Sequence, residues 1–192
     1  PVTGKTMSTD EHLESFSKAV RSCMRAAPDV ILIGEIRDEE TASAALEASL
    51  TGHLILSTIH TPDSIGAIPR LLDKSQSALN ISQTMTAVVS QRLVPRLCER
   101  CKIPSVPTDD QCKHFRFHGL EVPSEIYSRN GCPHCNEGWS GRVPVFEFLF
   151  LDPELRTMIN DHFDAMAFRE VWMKKAGETL GKNALRKVAE GL

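Results

Sequence analysis

DVILIGEIRDEETASAALEASLTGHLILSTIH, residues Asp29–His60, reads as strand, acidic tip, helix, glycine stop and second strand. Val30–Ile33 is an uninterrupted apolar run, the pattern of a parallel strand covered on both faces. Gly34-Glu35 then places a carboxylate just past the strand's carboxyl end. Asp38 is an expected helix N-cap, with Glu39 and Glu40 in the first turn where the helix dipole favours negative charge. Ala42, Ala44, Ala45 and Ala48 give the helix small side chains for close packing on a sheet, and Gly52 supplies a left-handed stop. His53–Ile59 is the second β-rich run, with His60-Thr61 at its carboxyl end.

Strand, crossover helix and parallel strand make a right-handed βαβ unit, which brings Glu35 and His60 to one sheet edge. Open α/β sheets bind ligands outside the carboxyl ends of their strands. A rigid apolar strand ending in an acid is also what a Walker B segment needs to present a carboxylate to Mg²⁺ or to an attacking water. An ordinary crossover with a solvated Glu35 satisfies the same pattern, and periodicity does not separate the two.

The 192 residues carry 41% hydrophobic content and a net charge of −3, enough for a real core and no sign of nucleic-acid binding. No run approaches the ~18 apolar residues of a membrane helix, and no secretory signal pattern is present. A cytoplasmic location is expected. Gly4-Lys5-Thr6 invites a phosphate-loop reading, but the glycine required five positions earlier precedes the first residue, and Met7–His12 is largely polar. Leu13–Ala27 is expected to be helical, ended by Pro28, with Cys23 as a small apolar filler. A turn at Pro62–Ser64 opens a helix to about Asp73. A further helix is expected over Gln76–Leu97, with Ile81, Met85, Val88, Val89, Leu93 and Leu97 on one face and a stop or kink at Pro95. Asp152-Pro153-Glu154 signals another helix start, and Phe168–Lys175 and Asn183–Leu192 complete a helical tail.

Four of the six cysteines form two CxxC pairs, Cys98 with Cys101 and Cys132 with Cys135. Each CxxC turn presents two thiolates to one ion, and two such turns complete a tetrahedral zinc site. Such a site is closed, so its role would be structural. Disulfides or chance spacing are the alternatives. The intervening Lys102–Gly131 is longer than a compact zinc ribbon allows and needs a loop or small helix; Cys112, His114 and His118 within it have looser spacing.

Beyond these readings, PDVILIGEIRD (Pro28–Asp38) followed by TGHLILSTIHT (Thr51–Thr61) resembles the Walker B and His boxes of the type II secretion and type IV pilus assembly ATPases. Gly138–Glu147, GWSGRVPVFE, is similar to that family's GxxGRxxxxE segment, and the resemblance runs from near Phe16 to the last residue. It implies a partial RecA-like α/β sheet with an inserted zinc-binding module and C-terminal helices. The corresponding segments are 1–97, 98–141 and 142–192. By the same resemblance Glu35 is the catalytic glutamate and His60 the γ-phosphate sensor. Arg37 and His53 are weaker candidates for nucleotide contact, and Cys98, Cys101, Cys132 and Cys135 are the metal ligands. The implied cofactors are ATP, Mg²⁺ and Zn²⁺. The implied assembly is a homohexameric motor at the cytoplasmic face of the inner membrane, working with a platform protein in pilus assembly or type II secretion. The family carries its Walker A loop well upstream, so the chain is expected to be the C-terminal part of a longer protein, inactive by itself. A non-catalytic, zinc-stabilised interaction module is the competing expectation.

Overall fold

The computed structural model describes residues 16–192, apart from residues 76 and 176. The Gly4-Lys5-Thr6 sequence and Leu13 lie outside the described residues. The described chain forms two compact units: residues up to Ala87 together with Phe150–Val171, and Val88–Leu149 together with Trp172–Leu192.

In the first unit, α1 (Phe16–Met24) leads to β1 (Val30–Ile33), α2 (Glu39–Leu50) and β2 (Leu54–Ser57). β1 and β2 pair in parallel, with Val30 opposite Leu54 and Ile33 opposite Ser57. The βαβ expectation therefore holds. Asp38 caps α2 by accepting the Thr41 amide, at 2.7 Å, and Gly52 ends the helix turn at φ +97°. α2 buries Ala42, Ala44, Ala45 and Ala48, and Ala44, Ala45 and Ala48 join Val20, Ile31 and Ile33 in one core. Their small side chains let the helix backbone approach the strands, where close packing is the rule. Cys23 packs against this cluster as a partly buried thiol.

Coverage of both strand faces does not hold among the described residues. Ile31 and Ile33 are buried, whereas Val30, Leu32, Leu54 and Leu56 are about half exposed or more. α2 covers one side of a sheet whose side chains alternate, so the other apolar row stays open.

After β2 the chain bends through Pro62–Gly66 into α3 (Ala67–Ser75) and α4 (Ala78–Thr84). The long helix expected over Gln76–Leu97 is not formed: α4 stops at Thr84, Met85 is already extended (φ −67°, ψ 121°), and β3 follows as Ala87–Leu97. Thr86, Val88, Val89 and Val94 favour the extended chain, and the twelve-residue β6 (Trp139–Phe150) supplies the partner that the local pattern could not reveal. Leu151 donates to the Thr86 carbonyl at one end of this ribbon and Cys98 to the Gly138 carbonyl at the other, at 3.0 and 2.8 Å, so the two strands run antiparallel. α6 (Pro153–Asn160) then packs on α4, and α7 (Ala165–Lys174) follows.

The second unit holds most of that ribbon. It also contains the antiparallel pair β4 (Ile103–Ser105) and β5 (Ile126–Ser128), with α5 (Asp109–Phe117) between them, and α8 (Leu180–Ala189). β4, α5 and β5 thus fill the long interval between the CxxC pairs. Buried Glu147 on β6 accepts the Leu180 amide at 3.0 Å, placing a carboxylate at the start of α8, where four amides lack helical partners. That contact gives Glu147 a structural role at the start of α8.

Candidate active site and metal centre

Where β1 ends, the chain is fixed by the continuation of β2. The Ile36 amide donates to the Thr58 carbonyl at 3.0 Å, and the Thr58 hydroxyl donates to the Gly34 carbonyl at 2.7 Å. Glu35 is pinned between these two bonds and keeps only 18% of its side chain exposed. One carboxylate oxygen, Oε1, lies 3.2 Å from His60 Nε2; the other, Oε2, accepts from Arg37 Nε at 2.5 Å. Glu35, His60 and Arg37 are therefore brought together at the carboxyl edge of the sheet. Their exposures differ in an informative way, 88% for His60 and 75% for Arg37. The acid is held by the fold, while the two cationic or polarising groups face solvent, where a ligand would arrive. Lys74 on α3 donates to the Arg37 carbonyl and steadies the turn.

His53 is not part of this group. It precedes β2, at the opposite end of the strand from His60, and its Nδ1 lies 3.0 Å from the Ala48 carbonyl and 3.2 Å from the Thr51 hydroxyl. There it closes the C-terminal turn of α2.

A feature that the sequence did not reveal anchors the loop after His60. Asp63 Oδ1 accepts the Gly66 amide at 2.8 Å, its carbonyl accepts the Thr61 hydroxyl at 2.9 Å, and Oδ2 meets Arg169 Nη2 at 2.5 Å. The first two contacts are local and typical of an aspartate turn. The third spans 106 residues, a separation no local pattern signals.

In the second unit both CxxC pairs sit at the root of the β3–β6 ribbon. Cys101 and Lys102 amides donate back to the Cys98 carbonyl, at 3.2 and 2.9 Å, forming the first turn; Cys135 donates to the Cys132 carbonyl at 3.2 Å in the second. Gly138 closes the second turn at φ +91°, where a Cβ would come within 2.7 Å of Arg129 Cβ, so only glycine fits. The four sulfurs lie within 4.8 Å of one another, with Cys98–Cys132 at 4.0 Å, Cys101–Cys135 at 3.7 Å and Cys132–Cys135 at 3.6 Å. All are free thiols. Thiolates bound at ~2.3 Å to a tetrahedral zinc stand ~3.8 Å apart, so the donor set suits such an ion. Burial pushes the Cys101 thiol up to about 12. At Cys135 burial acts the same way, but amide hydrogen bonds from Cys132 and Gly138, together with those of the Cys132 and Cys101 thiols, outweigh it and bring the thiol down to about 7. Those amides, each 3.3 Å from the Cys135 sulfur, would equally support a metal-bound thiolate. Cys112 instead lies 3.9 Å from the Pro107 carbonyl, and His118 packs beside Gly181; neither they nor His114 join the tetracysteine group.

Residues 5–192 match the family described as Type II/IV secretion system protein. The chain belongs to that family. Among its relatives, the type II secretion system ATPase E of Vibrio cholerae is 38% identical over 179 residues, covering 93% of this chain and 35% of the relative. The type IV pilus assembly ATPase TfpB of Acinetobacter baylyi is 36% identical over 179 residues, covering 92% of this chain and 31% of TfpB. Among solved structures, the pilus retraction motor PilT with bound ADP superposes with a TM-score of 0.63 at 27% identity, over 95% of this chain and 42% of PilT. The chain thus has a mixed α/β fold similar to part of PilT and spans about a third of the length of these curated relatives.

Proposed function

We propose that this chain is part of an ATP-driven motor serving type II secretion or type IV pilus assembly, with Glu35 and His60 in its hydrolytic site. The observation that supports this best is the contact between a fold-pinned carboxylate and an exposed imidazole, 3.2 Å apart at the carboxyl edge of a parallel βαβ unit. In the complete protein Glu35 would orient or deprotonate the attacking water. His60, with its ring facing solvent, would meet the terminal phosphate, and Arg37 would add positive charge beside it. A Mg²⁺ ion held beside Glu35 would supply neutralisation of phosphate charge. Magnesium takes only one or two protein carboxylates, and Glu35, at the carboxyl edge of the parallel strands, is the acid that would help hold it. His53, at the far end of β2, would reach nucleotide only from a differently placed site.

The tetracysteine group would hold one structural Zn²⁺, closed to substrate by its four thiolates. No helix among the described residues is long and apolar enough to cross a membrane. By its family the chain would serve a cytoplasmic motor attached peripherally to the inner membrane through a platform protein and assembled as a homohexamer. The 192 residues contain no complete GxxxxGK[ST]. Backbone amides cradling phosphates and a lysine reaching them are what that loop provides. Mg-ATP hydrolysis should therefore be readily measurable in the complete protein and essentially absent from the 192-residue chain. A complete protein that binds no ATP would contradict the motor reading; rapid turnover by the short chain would contradict the missing-loop argument.

A further inference from the structure

We infer that Arg169 is a positioning residue for His60, acting through Asp63. This rests on the hydrolytic reading of the Glu35–His60 pair and extends it. At 88% exposure the His60 ring has almost no packing of its own, so its place beside Glu35 depends on the backbone that carries it. That backbone turns at once through Thr61, Pro62 and Asp63 and is tied down by the Asp63 carboxylate. Asp63 caps the Gly66 amide with one oxygen and meets the Arg169 guanidinium with the other, at 2.5 Å. The pair is only 25% and 33% exposed, so water and salt screen it less than a surface pair. Arg169 sits on α7, which begins 108 residues after β2 ends. An ion pair of this kind ties the loop to a distant helix, adding a restraint from outside to the local aspartate turn and to the burial of Ser64 and Ile65 that follow it. Displacing a catalytic group by about 1 Å is enough to cost turnover.

Histidine-selective NMR on the 192-residue chain tests this without nucleotide. Glu35→Gln should move the His60 ring resonances, assigned with His60→Gln, because it removes the charge beside Nε2. Arg169→Gln should move them in the same direction while Arg169→Lys leaves them near the wild-type position. Asp63→Asn, which keeps an oxygen for the Gly66 amide but removes the charge, should reproduce the shift and stands in should Arg169→Gln unfold the chain. The methyl signals of Ile33, Ile65 and Ile68, buried in the same unit, report whether each variant is folded. His60 resonances unmoved in folded Arg169→Gln or Asp63→Asn would overturn the inference. In the complete protein Arg169→Gln should lower kcat about tenfold or more with little change in KM for ATP. Moved resonances with unchanged kcat would instead contradict the hydrolytic role of His60 and leave the positioning intact.

Discussion

Asp38 shows how much one side chain contributes to the shape of the site's edge. Its carboxylate accepts the Thr41 amide at 2.7 Å, and that bond, with Lys74 adding a smaller attraction, lowers its pKa below 3.8. Asp38→Ala should therefore cost about 1 kcal/mol in urea unfolding, and Asp38→Asn much less. The sign of the pH dependence follows from the depressed pKa. The cap's charge-dependent contribution is complete above the unfolded carboxyl value and fades as pH falls through the lower folded value, so wild type and Asp38→Asn should converge in stability below about pH 4. Asp38 was legible from the sequence because N-caps obey a local rule. The Glu35 position was equally legible, since a carboxylate ending an apolar strand needs no distant partner to be placed. Arg169 was not, because its role is defined by Asp63, 106 residues away.

At the level of elements, α2 and the second CxxC turn have the least freedom to change. Ala44 and Ala48 are fully buried where α2 meets the sheet, so Ala44→Leu should overpack the core and cost roughly 1–3 kcal/mol, read by thermal or chemical unfolding. Gly138→Ala combines a φ of +91° with a 2.7 Å clash, and should weaken metal retention in a chelator competition assay as well as stability. The element least legible in the sequence was β3. Ile81, Met85 and Val88 keep helical spacing across its start, and only pairing with β6 decides for strand. A helix expectation there rested on periodicity alone, and tertiary pairing overrode it.

For the whole molecule, the fold separates a βαβ unit carrying Glu35 and His60 from a unit carrying the four cysteines. Elemental analysis of the reduced protein should find one zinc per chain. Its removal by chelator should raise amide exchange around both CxxC turns while the amides of Ala42–Ala48 stay protected. Equal loss of protection in both regions would show that the metal holds far more than its own unit. Steady-state Mg-ATP turnover of the complete protein decides whether Glu35 is a hydrolytic residue. Phosphoryl transfer depends on positioning and charge, so Glu35→Gln should preserve ATP binding while lowering turnover about a hundredfold or more. Glu39→Gln, an exposed acid in the first turn of α2, should leave turnover nearly unchanged. If the two substitutions gave the same turnover, Glu35 would be an ordinary carboxylate at a strand end, and the proposed hydrolytic site would be contradicted.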